Sequence, residues 1–181
     1  MALLQIRVFP DEALKRKAEP VGAVDDGVRR ILADMAETMY ANNGIGLAAP
    51  QVGVPLRLIV IDVPADGDRP ASGLIYLVNP HIVSREGSAT ATEGCLSFPG
   101  LEIEVKRAAR VRVAFQDGQG QERAVDAEGL LAVCFQHEVD HLDGVVFTDR
   151  LGPVSRRLAL REFEKLKARA AAERVSGNGA P

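Results

Sequence analysis

The sequence predicts an α+β fold with antiparallel sheets, and three features predict it. Short apolar or alternating segments follow one another from Leu56 to about Asp126, with few helical patterns between them. Helical spacing appears in three places: once before those segments, once just after them, and once near the end. No segment repeats another. Strands in direct succession favour antiparallel pairing, because parallel strands need a long crossover, usually a helix, between them.

The elements follow in order. Asp25 or Asp26 caps a first helix, whose apolar positions Val28, Ile31, Leu32, Met35 and Met39 keep helical spacing. Asn42, Asn43 and Gly44 end it and begin a glycine-rich loop to Gly53. Leu56 to Val63 is apolar enough for a strand buried on both faces. Residues 64–73 (PADGDRPASG) form a solvated loop, and Leu74 to Asn79 a second strand. Alternation in LEIEV (101–105) and RVRVAF (110–115) predicts strands with one wet face. The DGQG turn at 117–120 leads to another strand ending near Asp126. From about Glu128 to Leu142 the spacing is helical, and Gly144 supplies a stop. A last helix runs from about Pro153, a first-turn proline, to Arg174. One domain over 1–174 with a disordered tail at 175–181 is the expected organisation.

Composition narrows the function classes. With 26% charged residues, 46% apolar residues and a formal charge of −3, the 181-residue chain has the balance of a globular protein and no global bias toward nucleic acid. Arg7, Pro10 and Asp11 interrupt the opening apolar run too early for a signal peptide, and no later run is long enough to cross a bilayer. A cytoplasmic protein is expected, with Cys95 and Cys134 as reduced thiols and not a disulfide.

Residues 137–141 read His-Glu-Val-Asp-His and carry two of the three histidines. On a helix, His137 and His141 lie one turn apart on one face and can share a metal ion, with Glu138 beside it as proton carrier. Leu130, Val133 and Cys134 share that face. A core helix accounts for one satisfied histidine, but poorly for two with a carboxylate between them, because a buried carboxylate needs a partner. Two nitrogens do not complete a tetrahedral site, so a third ligand is needed. Cys95, between predicted strands in Glu-Gly-Cys-Leu-Ser, is the leading candidate. A two-nitrogen, one-sulfur set would ordinarily be read as zinc.

Three blocks, GIGLAAPQVG (44–53), EGCLS (93–97) and QHEVDHLDG (136–144), resemble the bacterial peptide deformylase family in order and spacing, and the similarity extends from about residue 4 to 170. The resemblance implies antiparallel sheets wrapped around a central metal-binding helix, with hydrolysis of the N-formyl group from the initiator methionine of nascent polypeptides and release of formate. It implies Cys95, His137 and His141 as ligands and Glu138 as general base, then general acid. The Gln51 amide and the Leu96 backbone N–H correspond to donors to the formyl oxygen. Ile45, Gly46 and Gly94 correspond to positions that bind the peptide backbone, and Leu130, Val133, Cys134 and Ile45 to the methionine pocket. Ferrous iron is implied as the native metal, with Zn²⁺, Ni²⁺ or Co²⁺ in purified protein. Asp140 and Gln136 read equally as partners behind the ligands or as solvated helix positions. Phe98 and the Gly100–Glu102 stretch leave the preference for residues after methionine open.

Two other readings stand beside this one. A zinc endopeptidase would take Glu162 or Glu164 as third ligand, although alternating charge in REFEKLKAR (161–169) makes a solvated face the simpler account of both. A non-catalytic ribosome-associated relative would keep the fold but need not keep Gln51, Cys95, Glu138 and both histidines. The final helix is basic: Arg150 to Arg174 carries eight basic and three acidic residues. Together with the resemblance, that suggests docking on ribosomal RNA, while Leu158, Leu160, Phe163 and Leu166 could instead anchor an ordinary packed helix. The expected protein is a monomer that meets N-formylmethionyl peptides at the ribosome and no membrane.

Overall fold

The structure, a computed structural model, describes residues 2–177. Helix α1 spans Asp26–Ala41, and its N-terminus is fixed by Asp25, whose Oδ1 accepts from the Val28 N–H at 2.9 Å. The glycine-rich loop expected after it is more ordered than the sequence suggested. It holds the short strand β1 (Gly46–Ala48) and a 3-10 turn at Ala49–Val52. Strand β2 is Leu58–Ile61 and β3 is Ile75–Glu86. β4 (Ala89–Gly94) pairs with β5 (Glu102–Arg107) as a separate two-stranded unit. β6 (Arg110–Gln116) and β7 (Glu122–Glu128) complete a five-stranded antiparallel sheet of order β1-β2-β3-β6-β7. Helix α2 is Gly129–Leu142, and α3 runs Pro153–Gly177. Of the tail expected at 175–181, residues 178–181 lie outside the described residues.

Two strand features departed from expectation for physical reasons. β3 continues seven residues beyond Asn79, past Pro80, where its register against β6 shifts. Proline has no N–H for the ladder, and the strand beyond it is largely exposed, so no alternation marks it. β4, Ala-Thr-Ala-Thr-Glu-Gly, lacks large apolar residues and owes its extended form to pairing with β5.

The large sheet carries a helix on each side. β2 is buried on both faces: Leu58 and Val60 pack with Leu32, Met35 and Met39 of α1, while Ile59 and Ile61 pack with Phe135, Val139 and Leu142 of α2. Each large apolar side chain so buried contributes about 1.5–3 kcal/mol. Residues 132–142 of α2 are all buried, so this helix runs through the middle of the molecule. It stops at Gly144, whose φ of 72° suits glycine, and where a Cβ would stand 2.6 Å from the Lys15 carbonyl oxygen. A third apolar cluster of Leu14, Phe98, Val105, Phe147 and Phe163 seats α3.

Candidate active site

Burial of α2 brings its polar residues into the interior, where each needs a partner. His137 and His141 present Nε2 atoms 3.2 Å apart, and Cys95 Sγ lies 3.4 Å from His141 Nε2. All three donor atoms fall within 4.8 Å of one another. Cys95 arrives from the chain leaving β4, so the centre joins the small hairpin to the central helix. Metal–ligand bonds of about 2.0–2.3 Å give tetrahedral edges of about 3.3–3.8 Å, so these spacings suit one shared ion.

The charges also suit one. Burial alone would hold His137 below its ordinary value, but Cys95, Glu93 and Glu138 draw it well above, the mark of a negative environment around a cation position. His141 is held well below by burial, then by His137, Arg107 and Lys15. The donors therefore fit a divalent metal, and Glu162 and Glu164 do not join them. Both sit on α3, exposed and paired with Lys165 and Lys167.

Behind the donors runs a network of which the sequence reading named only Asp140, as one of two alternatives. Glu93 Oε2 lies 2.8 Å from His137 Nδ1. A carboxylate only accepts, so Nδ1 carries the proton of that bond, and Nε2 faces Cys95 and His141. Arg107 donates to both Glu93 oxygens at 2.7 and 2.9 Å, and to Asp140 Oδ2 at 2.6 Å. Burial would raise the Glu93 carboxyl, but Arg107 and His137 outweigh it and hold it down to about 2. Arg150 then donates to Asp140 through both Nε and Nη2. Asp140 thus acts on His137 only through Arg107 and Glu93. Gln136 stands apart, exchanging hydrogen bonds with the backbone of Ala108. Glu93 carried a signal, standing two residues before Cys95 in the same EGCLS block. Arg107 carried none.

A cavity of about 550 Å³ opens beside the donors. Ile45, Gly46, Gln51, Gly94, Cys95, Leu96, Leu130, Val133, Cys134, His137 and Glu138 line it, while His141 is buried behind the others. Glu138 is 4% exposed, and its Oε2 has no hydrogen-bond partner. Burial pushes its carboxyl up to about 7. Gln51 is oriented by the Ala48 N–H, which donates to Oε1 at 2.8 Å and turns Nε2 toward Cys95 Sγ at 3.6 Å and Ser97 Oγ at 3.2 Å. The Leu96 N–H has no hydrogen-bond partner among the described residues. Gly46 is required by space: a Cβ there would stand 2.6 Å from Glu138 Oε1 and 2.8 Å from Cys134 Sγ. Gly94 is not so constrained, its nearest neighbour being 3.9 Å away. Burial, then Glu138 and Glu93, push the Cys134 thiol well above its ordinary value, so it stays neutral.

A buried helix bearing His-Glu-x-x-His, completed by a distant cysteine beside an apolar cavity, defines a metal-dependent hydrolase. Residues 3–157 match the polypeptide deformylase family. The peptide deformylase of Alkalilimnicola ehrlichii is 50% identical over 166 residues, covering 92% of each chain. The crystal structure of a peptide deformylase from Legionella pneumophila superposes with a TM-score of 0.86 at 45% identity, over 94% of this chain and 98% of that one. That of the Ehrlichia chaffeensis enzyme in complex with actinonin gives 0.85 at 40% identity, over 91% and 98%. The chain belongs to the polypeptide deformylase family.

Proposed function

We propose that this protein removes the N-formyl group from the N-terminal formylmethionine of nascent polypeptides, with Glu138 as the proton carrier. The observation that carries this reading is the Glu138 carboxyl: buried, unpartnered at Oε2, and on the wall of the cavity that holds the Cys95, His137 and His141 donors. A divalent metal held by those three residues supplies Lewis acidity and lowers the pKa of water at the site. Ferrous iron is the native metal in this reading, with Zn²⁺, Ni²⁺ or Co²⁺ as replacements, since thiolate and imidazole donors accept all four.

Each residue then has a task. Gln51 Nε2 and the Leu96 N–H donate to the formyl oxygen as negative charge builds there, an effect worth ~10²–10³ in rate per donor. Glu138 Oε2 takes the proton of the attacking water and delivers it to the departing amine nitrogen, leaving formate and a free N-terminus. A carboxyl raised to about 7 is matched to both halves of that exchange near neutral pH. Leu130, Val133, Cys134 and Ile45 receive the methionine side chain. The backbone of Ile45 and Gly46, with Gly94, binds the extended peptide, and the open face of Gly94 supports close approach.

The reading places the protein as a monomer in the cytoplasm, where formylated chains emerge. No helix among the described residues is long and apolar enough to cross a membrane. Docking on the ribosome through α3 belongs to the same reading and is supported by the exposed Arg157 and Arg161. Cleavage of formyl-Met-Ala-Ser by anaerobically prepared protein, followed as formate release with the metal content measured in parallel, is the direct test. Metal-loaded protein that releases no formate would refute the proposal.

A further inference from the structure

Three members of the ion chain behind His137 are buried. The side chains of Glu93 and Arg107 are each 3% exposed, and that of Asp140 is 9% exposed. By themselves they are unbalanced, with two carboxylates against one guanidinium. Arg150 supplies the second positive charge from the surface, where its side chain is 44% exposed.

Asp140 is the joint of the chain. Its Oδ2 accepts from Arg107 Nη1 at 2.6 Å and from Arg150 Nε at 2.9 Å, and its Oδ1 accepts from Arg150 Nη2. Arg150 therefore grips both oxygens of Asp140, as Arg107 grips both of Glu93. Without that grip, Asp140 and Glu93 would compete for Arg107 alone, and a buried carboxylate short of a partner is costly. A shift of Arg107 toward Asp140 weakens the two bonds that hold Glu93, and Glu93 is what fixes His137 Nδ1 at 2.8 Å.

The segment that carries Arg150 is itself fixed. Arg150 is the last residue of a 3-10 turn, Phe147–Arg150, in which Phe147 and Thr148 are buried. The Phe147 ring meets the His137 imidazole edge-on, with centroids 5.7 Å apart and planes at 65°. One four-residue turn thus braces His137 twice. Phe147 touches its ring, and Arg150 acts on its Nδ1 through the ion chain.

We propose that Arg150 is a positioning residue of the metal centre: by holding Asp140 it keeps Arg107 on Glu93, and so keeps His137 Nε2 aimed at the ion. This rests on the ligand assignment made with the proposed function. The readout is zinc release. Zn²⁺-loaded protein is mixed with excess 4-(2-pyridylazo)resorcinol, and the coloured zinc chelate is followed in time. Arg150→Gln should release zinc faster by on the order of 3–10-fold, less than the ~10–100-fold typical of a residue that touches a ligand, because Arg150 acts through three intermediates. Arg150→Lys keeps the charge but not the two-pronged grip, so its rate should fall between those of wild type and Arg150→Gln. Arg156→Gln is the control. Arg156 is similarly exposed at 39% and ties α3 to the same turn through Asp149, so merely structural loosening would show there too. Its release rate should match that of wild type. The inference is overturned if both Arg150 variants release zinc at the wild-type rate, or if Arg156→Gln accelerates release as much as Arg150→Gln. Should Arg150→Gln not fold, Arg150→Lys decides by the same comparison. Wild-type protein that takes up no zinc overturns the ligand assignment and this inference with it, whereas zinc-bound wild type with unchanged Arg150 variants overturns this inference alone.

Discussion

Glu138 and the two cysteines show how much a single side chain depends on where it is buried. Replacing Glu138 by Ala leaves Cys95, His137 and His141 in place, so metal should stay bound while proton transfer is lost. The expected fall in kcat is ~10²–10⁴-fold, and near-normal turnover at full metal occupancy would refute the role given to Glu138. The cysteines separate by geometry. Cys95 Sγ sits 3.4 Å from His141 Nε2, whereas Cys134 Sγ donates to the Ile45 carbonyl at 3.7 Å. Cys95→Ser should therefore lose metal and activity together, since a hydroxyl ionises far less readily than a thiol. Cys134→Ser should keep the metal and change side-chain preference at the methionine position. Metal analysis of both variants checks this, and the reverse pattern would overturn the ligand assignment. Glu138, Cys95 and both histidines were legible because each sits in a block whose spacing has a chemical reason. Arg107 was not, since nothing around it in the sequence indicates that its guanidinium bridges Glu93 and Asp140.

At the scale of elements, α3 has the packed anchor that the sequence offered as one alternative, and the docking proposed for its basic face is tested separately. Ala159 and Phe163 are buried, and Phe163 meets Phe98 with ring centroids 4.9 Å apart, three residues from Cys95. Val154 and Leu158 remain exposed beside a basic face. Removing the helix would uncover Phe98 and disturb the site, so a docking test must spare the anchor. Phe163→Ala should cost about 3–5 kcal/mol of stability, measured by urea unfolding. A loss below about 1 kcal/mol would mean the helix is not seated as described. The pair Arg157→Glu and Arg161→Glu should leave that stability nearly unchanged and weaken ribosome co-sedimentation at low salt. Unchanged co-sedimentation would defeat docking through this face. Among the other elements, β2 and α2 were visible in the sequence because long apolar runs mark burial directly. β1 and β4 were not, since Gly-Leu-Ala and Ala-Thr-Ala-Thr-Glu-Gly become strands only through their partners.

Across the whole molecule, Asp149 ties together segments far apart in sequence. Its carboxylate accepts from Lys15 near the start of the chain, from Arg156 of α3 at 3.1 Å and from the Val146 N–H at 3.1 Å. Burial alone would raise this carboxyl, but Lys15 and the Val146 N–H, with Arg156, hold it below its ordinary value. A depressed folded-state value means that the stabilisation is present above about pH 4, where the unfolded group is also ionised, and is lost as pH falls below that. Asp149→Asn should lower the melting temperature at pH 7 and reduce its dependence on pH between about 5 and 2. An acid limb identical to that of the wild type would refute the assignment.

The sequence by itself determined the α+β class, the apolar runs of β2 and α2, and the pair of histidines one helical turn apart, because periodicity and residue spacing are local properties. The tertiary structure alone decided that Cys95 meets histidines more than forty positions away and that Glu93 orients His137 under the hold of Arg107. Those contacts depend on strand register and on the path of the central helix. Both are set by how buried faces pack against one another, and packing couples residues that the linear order keeps apart.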